Sequence, residues 1–174
     1  MNSPVPVTNI LAVFMNKKPD SVFTNPVHFL AFGFGSGLSP KAPGTAGTVV
    51  AVLMFLLIAQ LPLAVYITAV VLAFFLGIYL CGKTAEDLGV HDHGGIVWDE
   101  FVGFWITMIL VPFTWYWILA GFILFRIFDI LKPFPIGLLD KKMQGGLGIM
   151  VDDVLAGIYA LACLHLVNYF FSSL

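Results

Sequence analysis

Five carboxylates and two cations stand at the edges of segments that are otherwise almost wholly apolar. Asp99 and Glu100 precede one long uncharged run, Asp129 lies near the end of the apolar segment that follows, and Asp152 and Asp153 open the last one. Arg126 precedes Asp129 by three residues and Lys132 follows it by three, which on a helix places all three on roughly one face. Near a helix C-terminus the backbone dipole disfavours an anion, so Asp129 needs a partner or a cation. It is either half of a structural salt bridge or part of a phosphate site. In the second case Arg126 supplies planar bidentate donors, Lys132 a point charge, and Asp129 a hard oxygen ligand for a divalent cation. Asp99, Glu100, Asp152 and Asp153 also have a bland explanation, since the exposed N–H groups of a helix N-terminus favour carboxylates. An ionisable group inside a bilayer costs on the order of 2.5–3.5 kcal/mol on insertion scales, which makes all seven functional candidates by default.

The elements that must position them follow from composition. The chain has 174 residues, 60% of them hydrophobic and 10% charged, with 17 Phe, and its mean hydropathy is +0.99. Ordinary soluble domains are roughly 45–50% apolar, so the expected fold is all-α, a polytopic membrane helical bundle. Residues 42–82 contain no charge and can supply two helices of about 20 residues, divided at Gln60-Leu61-Pro62. Residues 101–125 are also uncharged and continue past Arg126 to Leu131, with Pro112-Phe113-Thr114 in the middle predicting two shorter helices rather than one. A last span is expected over about residues 151–171. Asn25-Pro26 offers an N-cap and first-turn proline for residues 27–38, which are apolar but too short and Gly-rich to cross, so an interfacial or re-entrant helix is expected there. The organisation is then a polar tail over residues 1–24 and one membrane-embedded catalytic domain over residues 25–174, with about five membrane segments. Residues 1–25 lack the basic-then-apolar order of a cleavable signal, so the spans themselves are expected to direct insertion.

With about five crossings, Lys17, Lys18, Lys41, Lys83, Lys132, Lys141 and Lys142 fall on one side, and the turns around Leu61-Pro62 and Pro112-Phe113 on the other side carry no charge. The positive-inside tendency makes the charged side cytoplasmic. A net charge of −2 provides no basic field for nucleic acid. Cys81 and Cys163 sit in apolar runs without metal-type spacing and read as small apolar helix residues. His91-Asp92-His93 is not a zinc spacing and reads as a solvated loop, and His165, inside the last span, as a hydrogen-bonded core histidine.

A glycine-rich stretch, Gly33-Phe34-Gly35-Ser36-Gly37-Leu38-Ser39-Pro40-Lys41-Ala42-Pro43-Gly44-Thr45-Ala46-Gly47-Thr48, runs into the first span. Glycines let backbone N–H groups approach a phosphate, Lys41 adds charge, and Thr45 and Thr48 offer hydroxyls at a helix N-terminus. The Gly-Lys-Ser/Thr order of a P-loop is absent. Beside the acids the stretch becomes an anion cradle; alone it marks a turn.

Four separated motifs, in order, resemble the phosphatidylglycerophosphatase A family. They are Gly33 to Gly37 with Ser39-Pro40 and Pro43-Gly44-Thr45; Gly89-Val90-His91-Asp92-His93 with Ile96-Val97-Trp98-Asp99-Glu100; Phe125-Arg126-Ile127-Phe128-Asp129 with Lys132-Pro133 and Pro135; and Gly145-Gly146 with Gly148-Ile149-Met150 and Asp152-Asp153. The resemblance extends over nearly the whole chain from about residue 25. It implies a Mg²⁺-dependent phosphatase of the bacterial inner membrane that takes phosphatidylglycerophosphate from the bilayer and releases its terminal phosphate, leaving phosphatidylglycerol. Asp99, Glu100, Asp129, Asp152 and Asp153 would then hold one or two Mg²⁺, which lower the pKa of a bound water and polarise phosphoryl oxygens. Arg126 and Lys132, with Lys41, Thr45 and Thr48, would neutralise the transferring phosphoryl, and either water or a carboxylate would attack phosphorus. The rivals are a phosphatase of another lipid phosphate, such as a prenyl pyrophosphate, and a small transporter. A transporter would carry its charges nearer mid-membrane. The Asp-Gly with Ala-Arg signature of CDP-alcohol phosphotransferases and the Lys, Ser-Gly-His and Arg-His set of histidine-dependent lipid phosphatases are both missing.

Overall fold

The computed structural model describes residues 20–90 and 93–172. The tail expected over residues 1–24, with Lys17 and Lys18, lies almost entirely outside the described residues, as do His91 and Asp92. The regular elements among the described residues are all helical: α1 Pro26–Ala31, α2 Pro43–Ile58, α3 Leu63–Leu88, α4 Trp98–Thr107, α5 Trp115–Leu131, α6 Ile136–Lys142 and α7 Gly145–Ser172, with short 3-10 turns at Asp20–Phe23 and Ser36–Leu38.

The bundle is organised around a short helix. Helix α4 has ten residues and packs against α2, α3, α5 and α7, with Phe101, Val102 and Phe104 fully buried. Its aromatic side chains tie it to the neighbours through polar tips, as buried Trp and Tyr require. Trp98 Nε1 donates to the Ala73 carbonyl of α3 at 3.0 Å, Trp105 Nε1 to the Ala51 carbonyl of α2 at 3.0 Å, and Tyr66 Oη of α3 to the Trp105 carbonyl at 2.6 Å. Against α7 the contact is made by small residues. A Cβ on Gly157 would fall on the Gly103 carbonyl, and one on Gly103 would meet the Asp153 carbonyl at 2.7 Å, so the two backbones touch. Close approach through small residues is how helices associate where lipid removes the hydrophobic drive.

The break expected near Pro112 is present but opens earlier. Helix α4 ends at Thr107, Leu110 takes a left-handed φ of 56°, and α5 begins only at Trp115. At 1.5 Å per residue α4 is about 15 Å long, half of a hydrocarbon core of about 30 Å. Helices α3 and α7 are the two among the described residues long and apolar enough to cross a membrane, and α2, with 16 residues, is apolar but shorter. Large apolar side chains cover the outside of the bundle, including Leu57, Leu72, Trp115 and Phe171. A soluble monomer rarely exposes so continuous an apolar surface, and a membrane-associated protein does.

Two boundaries differ from expectation. Residues 27–38 do not form one helix: Asn25 Oδ1 caps α1 by accepting from the Val27 N–H at 2.9 Å, but Gly33, Phe34 and Gly35 all adopt positive φ and turn the chain after Ala31. A Cβ on Gly33 would strike the Ser36 and Val97 side chains, so this left-handed turn requires glycine. The segment then packs inward, with Ala31 and Phe32 buried and the Ala31 carbonyl accepting from the Val97 N–H at 2.9 Å. The last helix starts at Gly145, six residues before the expected position. Gly146 lies against the Ile78 carbonyl and Gly82 of α3, where any Cβ would collide. Gly146 is therefore a helix-packing contact, while Gly145, at a φ of 70°, begins the helix.

Candidate active site

Helices α2, α4 and α7 begin at the end of the bundle where α5 finishes, and the polar side chains gather there. The acids come from three helices. Asp99 and Glu100 occupy the first turn of α4, as expected, with no side-chain cap on that helix. Asp129 lies two residues before the end of α5. Asp152 and Asp153 do not cap α7; they lie two turns inside it, and Asp153 is only 2% exposed. The capping account fails for this pair because α7 starts early enough to carry them into the bundle. The Gly103–Gly157 contact sets their position. Asp99 precedes Gly103 by four residues and Asp153 precedes Gly157 by four, so one helical turn up from the touching backbones the two carboxylates face each other.

Carboxylate oxygens of Asp99, Asp152 and Asp153 all lie within 4.8 Å of one another. Glu100 stands beside them, with its Oε2 accepting from Thr48 Oγ1 and lying 3.0 Å from Arg126 Nη1. The same guanidinium nitrogen is 2.7 Å from Asp129 Oδ2, so Arg126 bridges the acids of α4 and α5. Lys132 Nζ pairs with Asp152 Oδ2, linking α5 to α7. Asp153 feels the repulsive field of Asp129, Asp99, Asp152 and Glu100 together. Five carboxylates thus share a buried site with two cationic side chains.

Backbone geometry marks two of these positions. Lys132 is the C-cap of α5 with a left-handed φ of 41°, a place where glycine is favoured. Lysine there accepts backbone strain and places its ammonium on Asp152. On α2, a Cβ at Gly44 would fall on Glu100 Oε1 and lie 2.9 Å from Arg126 Nη2. Glycine at 44 lets the acid and the guanidinium pack directly against the α2 backbone, and the buried Nε–H of Arg126 has no hydrogen-bond partner among the described residues.

The expected residues do not all converge. Thr48 is fully buried and serves Glu100, also lying 3.4 Å from Arg126 Nη1. Lys41 is exposed in the loop before α2, where its carbonyl accepts from Ser39 Oγ, and Thr45 is half-buried in the first turn of α2. Neither has a side-chain contact to the acids among the described residues. His93 Nδ1 accepts from the Gly95 N–H at 3.0 Å and its ring packs on Phe32, shaping the loop that leads into α4. His165 meets the Ile109 carbonyl at 2.9 Å, as a core histidine does. Gly44 was expected only as one glycine of the anion cradle; its packing against Glu100 and Arg126 is set by the meeting of α2, α4 and α5.

The residues suit a divalent cation. Oxygen ligands around Mg²⁺ at about 2.0–2.1 Å lie within roughly 4 Å of one another, close to the spacing of the three aspartates. Among the described residues Asp153 Oδ2 is buried with no hydrogen-bond partner, and such a charge needs a counter-ion or a proton.

An all-helical, membrane-associated chain with a buried cluster of acids bridged by arginine and lysine has the makings of a membrane phosphoryl-transfer enzyme. Comparison with known proteins makes the class specific. The family model of phosphatidylglycerophosphatase A matches residues 29–168, and the chain belongs to this family. It is 49% identical over 147 residues to phosphatidylglycerophosphatase A of Escherichia coli, covering 84% of this chain and 86% of that one. It is 52% identical over 147 residues to the Haemophilus influenzae protein of the same name, covering 83% of this chain and 90% of that one. A Bacteroides thetaiotaomicron relative, 46% identical over 136 residues (74% of this chain, 84% of that one), is provisionally named a phosphatidylinositol-3-phosphatase. No solved structure matches the chain.

Proposed function

We propose that this protein hydrolyses the terminal phosphomonoester of phosphatidylglycerophosphate, releasing phosphate and leaving phosphatidylglycerol in the bilayer. The observation that carries this is the meeting of Asp99, Asp152 and Asp153 with the Glu100–Arg126–Asp129 bridge at one end of an apolar bundle, in a chain of this family. The catalytic domain is residues 25–174.

Asp99, Asp152 and Asp153, with Glu100 and Asp129 beside them, would hold Mg²⁺. When bound, the ion supplies Lewis-acid polarisation of the phosphoryl group and acidifies water. The protein's own groups do the rest. Arg126, fixed between Glu100 and Asp129 and packed against Gly44, offers its guanidinium N–H groups to the phosphoryl oxygens, its Nε–H having no hydrogen-bond partner among the described residues. Lys132 adds a second positive charge as negative charge develops in the transition state. Thr48 keeps the Glu100 carboxylate oriented through their hydrogen bond. The site's carboxylates take the proton of an attacking water, or one of them attacks phosphorus itself; trapping an aspartyl or glutamyl phosphate separates these routes.

The helix directions support about five membrane segments, because α2, α4 and α7 lead away from the site and α3 and α5 lead toward it. Lysines on the site's side then make it the cytoplasmic face of a bacterial inner membrane. Short α4 would cross as a core helix, sheathed by its neighbours.

The deciding experiment measures phosphate release by the purified protein in mixed micelles, with Mg²⁺ and with EDTA. Phosphatidylglycerophosphate, phosphatidic acid, phosphatidylinositol 3-phosphate and a prenyl pyrophosphate are compared. Release from the first lipid, lost on chelation and restored by Mg²⁺, is the expected result. Preference for the inositol lipid would reassign the substrate, and no release from any lipid would return a transporter to consideration.

A further inference from the structure

An apolar cavity of about 440 Å³ opens on the side of the bundle between α2 and α5. Its walls are aliphatic and aromatic, among them Val49, Leu53 and Leu56 from α2 and Trp115, Leu119 and Phe122 from α5. Its size falls within the range of small-molecule sites, roughly 300–1,000 Å³. A second cavity of about 150 Å³, at Phe55, Tyr66 and Leu110, lies at the opposite end of the bundle from the acids.

Both walls of the large cavity belong to helices that carry residues of the candidate site further along. On α5, Trp115, Ile118, Leu119 and Phe122 precede Arg126 by eleven, eight, seven and four residues, which is one helical stripe ending at the guanidinium. On α2, Leu56 and Val52 follow Thr48 at intervals of four, a stripe ending at the hydroxyl that holds Glu100. At 1.5 Å per residue, Arg126 lies about 6 Å along α5 beyond Phe122 and Thr48 about 6 Å along α2 beyond Val52, at the end of the cavity nearer the acids. Trp115 is 75% exposed and Leu53 57% exposed, so no other part of the described chain covers it.

We infer that this groove seats an acyl chain of the lipid whose phosphomonoester is hydrolysed, so that substrate enters sideways from the bilayer between α2 and α5. This rests on the lipid phosphatase assignment. A phosphate held at Arg126 places the rest of its lipid beside these two helices, and tethering at one end raises the effective concentration of the chain in the groove. Contact made by this non-reacting part of the substrate serves to hold the phosphomonoester against the acids. A bulk lipid or a second copy of this chain could fill a flat apolar face equally well; neither explains a concavity whose two stripes both end at the site.

The test has a binding arm and a kinetic arm. In the first, the intact protein in detergent is titrated with phosphatidylglycerophosphate carrying brominated acyl chains, and Trp115 fluorescence is isolated as the difference between the wild type and Trp115→Phe. Saturable quenching is expected at mole fractions where brominated phosphatidylcholine has no effect. Equal quenching by both lipids, or cross-linking of Trp115→Cys between two copies together with loss of lipid quenching, would overturn the inference. In the second arm, wild type and Leu53→Trp are compared on long-chain and short-chain diacyl substrates. Wild type should favour the long chain through KM, and Leu53→Trp should raise that KM about tenfold and collapse the preference. A folded Leu53→Trp variant with unchanged chain-length preference would overturn it. If wild type hydrolyses no lipid phosphate, the proposed function fails, and the quenching arm still decides whether the groove takes a lipid chain.

Discussion

Two ionic clusters sit on this bundle, and they are built in opposite ways. In one, Asp87 near the end of α3 accepts from Lys83 Nζ at 2.7 Å through one oxygen and meets His28 Nε2 at 3.2 Å through the other, while His28 Nδ1 pairs with Ser21 Oγ at 2.8 Å. Both carboxylate oxygens have donors, and both nitrogens of buried His28 have partners. The cluster pins the 3-10 turn at Asp20–Phe23 and α1 onto α3. In the other cluster, five acids face Arg126 and Lys132, and Asp153 Oδ2 is buried without a hydrogen-bond partner among the described residues. A structural network satisfies its groups, whereas a site meant to receive a cation and an anionic substrate leaves charge uncompensated until they arrive.

That contrast can be broken most severely at Asp153. Asp153→Asn should lower phosphate release by at least about 10³-fold, the order seen when a preorganised charged group is removed from a transition-state site. Because the substitution also removes one repulsive charge, its melting temperature in EDTA should equal or exceed that of the wild type. A large loss of stability with retained turnover would put Asp153 in the structural class instead. Arg126→Lys keeps the charge but loses the planar fork that bridges Glu100 and Asp129, and a fall of about 10²-fold in kcat is expected from steady-state kinetics. Thr48→Val, which removes the hydroxyl from Glu100, should reduce kcat about tenfold, equivalent to ~1.4 kcal/mol. Its KM for the lipid should stay close to that of the wild type.

The other cluster should respond in stability alone. His28→Gln should lower the melting temperature by roughly 2–4 °C, as for the loss of about 1 kcal/mol in a chain of this size, with kcat within about twofold of the wild type. Lys83→Ala, which removes an exposed partner of Asp87, should change neither quantity detectably, because surface ion pairs contribute little. A kinetic effect of His28→Gln larger than that of Thr48→Val would erase the distinction between the two clusters.

Much of this was legible from residue order because local rules apply to it. The i,i+3 spacing of Arg126 and Asp129 on an apolar helix predicted a contact, and the two groups lie 2.7 Å apart. Asn25-Pro26 predicted a helix start, and Pro112 a division between two helices. The same local logic started the last span near residue 151, whereas α7 begins at Gly145 and meets α3 at Gly146. It also placed Lys132 with Asp129 as a neighbour on one helix face, whereas Lys132 reaches across to Asp152, twenty residues further along the chain.

Composition and spacing by themselves determined that this chain is helical and membrane-associated, and that its few charges stand at the ends of apolar segments. Such properties follow from the transfer of side chains out of water and from the 3.6-residue period, both of which act on neighbours in sequence. Only the tertiary structure decided that Asp152 and Asp153 lie inside a helix rather than capping it, that Thr48 serves Glu100, that Glu100 and Arg126 pack against Gly44, and that an apolar groove opens between α2 and α5. Those outcomes depend on how closely two backbones approach at Gly103 and Gly157 or at Gly146 and Ile78. Packing of that kind joins residues 50 or more positions apart, where no periodicity in the sequence records it.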